Sequence, residues 1–143
     1  MNSLVLDTSV LVDIFNQDSG RHPSALKLAN HIVNNNYRVT LPYHALFELG
    51  SSMKREIASL NLNKHITEKR PLLVNMVPID DSFLQKYMDT SVPYLKAGDL
   101  LFVLIAKKEG LKLITEDVAQ YEVARAANVE VYKIQDYLNT HDS

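Results

Sequence analysis

Short apolar runs alternate along this chain with longer stretches in which apolar positions recur at helical spacing. Ser3–Leu6 reads as a buried strand, and a helix is predicted from about Thr8 to Phe15. Gly20-Arg21-His22-Pro23 breaks the pattern. In Ser24–Asn34, Leu26, Leu28, Ala29, Ile32 and Val33 suit one helix face. Arg38–Leu41 is predicted as the second strand. Pro42 is expected to open the next helix, where a missing N–H costs nothing, and that helix to run to about Leu60. Asn63–Arg70 reads as a short helix, Leu72–Ile79 as strand three, and Asp81–Thr90 as a helix capped by Asp80 or Asp81. Asp99–Glu109 is apolar on nearly every side, which places it in the core, and Gly110 suits its C-cap. Leu111–Thr115, Asp117–Asn128, Val129–Tyr132 and Ile134–Asn139 complete the alternation as strand, helix, strand and helix. Strands alternating with helices predict a parallel sheet covered on both faces. No linker divides the chain, so the expectation is one three-layer α/β domain over 1–143.

Composition narrows the chemistry. At 143 residues with 46% hydrophobic and 22% charged positions, the chain can bury a core without disulfides or a structural metal. It has no cysteine, which excludes thiolate metal sites and a cysteine nucleophile. Its glycines, Gly20, Gly50, Gly98 and Gly110, build no phosphate-binding glycine loop. A net charge of −2 gives no whole-domain basic signature, so nucleic-acid binding must use a local patch or bound metal. The longest apolar run, Leu100–Ala106, is far short of the roughly 18 residues a membrane span needs. With no signal-like N-terminus, the chain is expected to be soluble and cytoplasmic.

In doubly wound sheets, ligands bind beyond the carboxyl ends of the strands, where strand order reverses. Asp7 follows strand one, and Thr115, Glu116 and Asp117 end strand four. Glu48 lies in the helix after strand two, and Asp99 opens the buried helix that feeds strand four. If the sheet reverses between strands one and four, Asp7, Glu48, Asp99 and Asp117 converge. Each has a plainer explanation: Asp7, Asp99 and Asp117 as helix N-caps, and Glu48 as a side chain facing water. As a set they would repel one another and raise at least one pKa. A divalent cation removes that penalty, and oxygen-only ligands favour Mg²⁺ or Mn²⁺. The hydroxyls of Ser9 and Thr115 are placed either to support these acids or to cap their helices.

These residues carry a resemblance. Leu4-Val5-Leu6-Asp7-Thr8-Ser9-Val10-Leu11-Val12, Leu41-Pro42 through Phe47-Glu48-Leu49, Ala97-Gly98-Asp99 through Ala106, and Leu113-Ile114-Thr115-Glu116-Asp117 occur in the order and at the spacing of PIN-domain proteins. The chain is most similar to the VapC-type toxin ribonucleases of that family. Leu100 stands where members often have Ala, a difference of helix packing. The resemblance implies a five-stranded parallel sheet in the order 3-2-1-4-5. It implies an acidic site of Asp7, Glu48, Asp99 and Asp117 with Ser9 and Thr115 in support. It also implies hydrolysis of RNA phosphodiester bonds with Mg²⁺ or Mn²⁺. Asp7, Asp99 and Asp117 are then metal ligands, and Glu48 is either a ligand or the base that orients water. A cognate antitoxin and a homodimer are implied in the same way.

Lys54, Arg55, Lys69 and Arg70 make a locally basic segment after the Glu48 helix, either a guide for an RNA backbone or a solvated face. Lys107, Lys108 and Lys112 are expected at the opposite end of the sheet. His44 precedes Glu48 by four residues on the same predicted helix, which puts the site within its reach; a surface or satisfied histidine is its default reading. Two other functions compete with the toxin: a PIN-type RNA-processing nuclease without an antitoxin, and a non-catalytic binding module. The complete acid set disfavours the second.

Overall fold

The computed structural model describes residues 2–53 and 72–141. The predicted helix beyond Met53, the Asn63–Arg70 helix and the Lys54, Arg55, Lys69 and Arg70 patch lie outside the described residues. In chain order the elements are β1 (Ser3–Leu6), α1 (Thr8–Phe15), α2 (His22–Asn34), β2 (Arg38–Pro42) and α3 (Ala45–Met53). They continue with β3 (Val74–Val77), α4 (Asp81–Tyr87), α5 (Ala97–Glu109), β4 (Lys112–Ile114), α6 (Val118–Ala126), β5 (Val131–Tyr132) and α7 (Ile134–His141).

All strand pairs are parallel, and the sheet order is β3-β2-β1-β4-β5. The chain therefore steps outward from β1 to β3, crosses back, and continues through β4 to β5. Strand order reverses between β1 and β4, as the family resemblance implied. Right-handed connections put helices on opposite faces for the two directions of travel. Packing agrees: α1 lies against α2 and α3, whereas α5 lies across β1, β2 and β4 and touches α4 and α6. The terminal α7 packs on α2.

The core takes the strand residues Leu4, Val5, Leu6, Val39, Leu41, Leu113 and Ile114, and an unbroken buried run in α5 from Phe102 to Ala106. A helix buried on every side is the expected solution for a segment without a polar face. Each large side chain removed from water in this way contributes about 1.5–3 kcal/mol. Gly110 ends α5 with φ 65°, the left-handed conformation that a side chain strains. Among the described residues, no helix is long and apolar enough to cross a membrane.

Several boundaries differ from the sequence reading. Pro42 closes β2 instead of opening a helix, and α3 starts at Ala45. In β2, Val39 and then Tyr43 donate their N–H groups to Leu73 and Val77 on the β3 side. Pro42 thus points its missing donor toward β1, whose register with β2 ends at Val5 opposite Thr40. Asp99 is not the cap of α5, because the helix begins two residues earlier and Lys96 holds the N-cap position. The strands are shorter than predicted, Val74–Val77 in place of Leu72–Ile79 and Val131–Tyr132 in place of Val129–Tyr132. Apolar patterning follows burial, which extends past the hydrogen-bonded ladder.

Candidate functional site

Asp7 and Thr115 stand side by side where β1 and β4 end, with the Asp7 N–H donating to the Ile114 carbonyl at 3.0 Å. Asp7 is the N-cap of α1 and is buried. Its Oδ2 accepts from the Ser9 N–H at 3.3 Å, the Ser9 hydroxyl at 2.7 Å and the Thr115 hydroxyl at 3.3 Å. The capping explanation for Asp7 is therefore correct but incomplete. A cap needs one such bond, and two further donors come from the side chains of Ser9 in α1 and Thr115 after β4. Among the described residues, none of these bonds falls on Oδ1.

The same two hydroxyls reach the second loop. Thr115 Oγ1 accepts from the Asp117 N–H at 3.0 Å, and Ser9 Oγ accepts from the Glu116 N–H at 3.4 Å. Asp117 caps α6 by accepting from the Gln120 N–H at 2.8 Å. Ser9 and Thr115 thus tie the first turn of α1 to the loop after β4. The helix N-caps are Asp7 and Asp117, so the capping explanation fails for both hydroxyls.

Asp99 sits in the first turn of α5, where the helix dipole favours a negative charge. Its carboxyl is nevertheless held above the usual carboxylate range. Burial is the largest cause, followed by the charges of Asp7, Asp117 and Glu48, with Lys96 pulling the other way. Asp99 thus feels the charges of the other three acids. Among the described residues, however, no three acid or histidine side chains stand close enough to grip one ion directly.

Glu48 occupies the first turn of α3 and is about one-third exposed. Its Oε1 accepts from the Thr8 hydroxyl at 3.1 Å and lies 3.0 Å from His44 Nε2. His44 Nε2 also lies 3.1 Å from the Gly98 carbonyl, one residue before Asp99. The default reading of His44 as a surface or satisfied histidine does not hold. One ring nitrogen meets the site, and the other, Nδ1, is buried without a partner among the described residues.

Two further groups escaped the sequence reading. Gln120 is fully buried, and its Nε2 donates to the Asp99 carbonyl at 2.9 Å while its N–H serves Asp117. Its position three residues after the N-cap is a capping-box spacing, so a local signal existed. Asp13, buried in α1, binds Arg21 Nε at 2.6 Å and the Ser19 hydroxyl at 2.6 Å. The Arg21 guanidinium extends to 3.8 Å from Glu116 Oε1, and Glu116 Oε2 accepts from the Ile134 N–H at 2.8 Å. The loop carrying Asp117 is thereby also tied to Arg21 and to the start of α7. Lys112, at the start of β4, lies opposite Leu4 of β1, which puts it at the far end of the sheet as expected.

A parallel sheet reversing at β1 and β4, with acids gathered beyond that point, defines an α/β domain of the PIN type. The chain belongs to the PIN-domain family, whose model matches residues 4–126. PIN domains are generally nucleases. Among solved structures, the chain is similar to VapBC2 from Rickettsia felis bound to a DNA fragment from their promoter. The identity is 16% over 92% of this chain and 98% of that one, with TM-score 0.61. It is also similar to FitAcB from Neisseria gonorrhoeae, with 18% identity, 92% and 98% coverage and TM-score 0.58. A PilT N-terminus domain protein from Sulfolobus solfataricus P2 is similar at 14% identity, 96% and 92% coverage and TM-score 0.56. No curated protein matches the chain by sequence.

Proposed function

We propose that this chain is a divalent-metal-dependent endoribonuclease that hydrolyses RNA phosphodiester bonds and serves as the toxin of a toxin–antitoxin pair in the cytoplasm. The observation that supports the reading is geometric: beyond the β1/β4 reversal, the Thr115 hydroxyl bonds both Asp7 Oδ2 and the Asp117 N–H, bringing the acid after β1 to the acid-bearing loop after β4. Gathering four acids costs stability unless a positive group offsets them. The donor set is oxygen-rich, which suits Mg²⁺ or Mn²⁺. Mg²⁺ keeps several waters and takes one or two carboxylates directly, so wider acid spacing fits it better than zinc.

Asp7, Asp99 and Asp117 are the ligands in this reading, and Glu48 is a ligand or the base that orients water. The bound cation would polarise the phosphate, lower the pKa of water and stabilise the leaving oxygen. Ser9 and Thr115 hold Asp7 by Oδ2, and none of their bonds falls on Oδ1. Gln120 fixes the backbone of Asp99 and the side chain of Asp117 together. RNA as substrate, an antitoxin and a homodimer follow from the resemblance to VapC-type toxins. Similarity in fold to VapBC2 supports the antitoxin. Lys54, Arg55, Lys69 and Arg70 are proposed to steer the RNA backbone toward the acids.

The test is cleavage of labelled single-stranded and structured RNAs and of matching DNA, in Mg²⁺ or Mn²⁺ and in EDTA, with Asp99→Asn as the contamination control. Metal-dependent cleavage of RNA that is lost in Asp99→Asn is expected. Folded wild-type protein that cleaves nothing and binds no Mn²⁺ would leave the binding module as the better account. A cognate antitoxin should suppress the activity. An active enzyme whose neighbouring gene encodes no inhibitor would be an RNA-processing nuclease instead.

A further inference from the structure

The chain differs from a bare acidic cluster in having an imidazole inserted between two of its acid-bearing elements. His44 Nε2 faces two acceptors, Glu48 Oε1 at 3.0 Å and the Gly98 carbonyl at 3.1 Å. Neither can donate, so Nε2 carries the proton. On its far side the ring packs against Phe102 of the buried helix α5, with ring centroids 5.6 Å apart. The imidazole is thus held by α5, through the Gly98 carbonyl and Phe102, with Nε2 also 3.0 Å from the carboxylate on α3.

Glu48 Oε1 receives a second donor, the Thr8 hydroxyl at 3.1 Å, from the first turn of α1. The Thr8 bond and the His44 contact fall on the same oxygen, and no hydrogen bond falls on Oε2 among the described residues. Oε2 points toward Gly98, where an added Cβ would lie 3.3 Å from it and 3.4 Å from His44 Nε2. Those spacings leave no slack, so glycine at position 98 lets α5 approach the pair. A glutamate side chain has several rotatable bonds, and two donors on one oxygen remove most of that freedom.

We infer that His44 is a positioning residue for Glu48: with Thr8 it clamps Oε1, leaves Oε2 as the working oxygen, and sets the distance between α3 and the Asp99 turn of α5. This role depends on the chain being a metal-dependent nuclease. Removing an outer partner of this kind costs about 10–100-fold in activity or metal affinity.

The experiment compares wild type, Asp99→Asn, His44→Ala, His44→Gln, Thr8→Val and the His44→Ala/Thr8→Val double variant. Readouts are single-stranded RNA cleavage in Mn²⁺, Mn²⁺ titration calorimetry and thermal unfolding. His44→Ala is expected to lower kcat by about 10–100-fold with little change in KM. His44→Gln should recover most of that loss, because its amide N–H₂ can reach the same oxygen. The double variant should fall short of the product of the single losses, as expected for two donors on one atom. His44→Ala equal to wild type, or His44→Gln no better than His44→Ala, overturns the role while Asp99→Asn still reports on the nuclease reading. If His44→Ala does not fold, His44→Gln decides alone: near-wild-type kcat supports the clamp, and a full loss overturns it. If wild type binds Mn²⁺ without cleaving, the same comparison is made on Mn²⁺ affinity. Wild type that neither cleaves nor binds Mn²⁺ overturns both readings.

Discussion

Replacing Thr115 by valine isolates one atom on which two loops depend. The side chain is fully buried, and valine matches its shape, so no cavity opens. The hydroxyl makes two bonds, one given to Asp7 Oδ2 at 3.3 Å and one accepted from the Asp117 N–H at 3.0 Å. Each is worth about 1 kcal/mol, the first being charge-assisted but long. Burying a methyl in place of the hydroxyl returns up to about 0.8 kcal/mol. The net loss is about 1.5 kcal/mol, or roughly 4–6 °C in Tm for a domain of this size. Stability alone does not isolate the bonds, because Thr115→Ser keeps both and still loses about 1 kcal/mol with its methyl. Metal linkage separates them. Thr115→Ser should retain the wild-type rise in Tm on adding Mn²⁺, whereas Thr115→Val should lose about 1.4 kcal/mol of it for each tenfold loss of affinity. The assay is thermal unfolding of all three proteins across a Mn²⁺ series. A Thr115→Val protein with unchanged Tm and an unchanged Mn²⁺ response would refute the link between the two loops.

Other expectations follow from the same geometry. Asp99 has a raised pKa in the folded chain, so its contribution to stability is present at low pH and is lost as pH rises through the folded value. In EDTA, Asp99→Asn should therefore match wild type in acid and become the more stable of the two above that window, as read from Tm against pH. Arg21→Ala, which takes the guanidinium from buried Asp13, should cost about 1–2 kcal/mol in a urea titration and lower cleavage through the loop that carries Asp117. Gly110→Ala strains a residue at φ 65° and should cost about 1 kcal/mol while leaving cleavage unchanged, because it lies at the far end of the sheet.

Much of this was legible in the sequence, and the reasons are local. The bounds of β1 and α1 agree with the prediction, because an apolar run meets a capping aspartate with no competing signal. The buried helix α5 was readable from its lack of a polar face. The meeting of Asp7 with the loop of Asp117 followed from topology, since residues at the ends of β1 and β4 must meet once those strands are neighbours. Contacts between distant side chains left no such trace. His44 meets Gly98 across two elements, and no spacing rule connects them. Gln120 had a capping position but spends its side chain on the Asp99 carbonyl. Asp13 carried no signal in the sequence, and its partner Arg21 reaches it by folding back along the chain. Pro42 misled because it suits both a helix start and a strand end whose neighbour has already turned away.

The central claim is that Asp7, Glu48, Asp99 and Asp117 gather to hold a divalent cation. The most direct test is calorimetric titration of Mn²⁺ into folded, metal-free wild type and Asp99→Asn. Saturable binding by wild type, weakened at least about tenfold in Asp99→Asn, is the predicted result. Equal binding by the two proteins, or none by wild type, would contradict it.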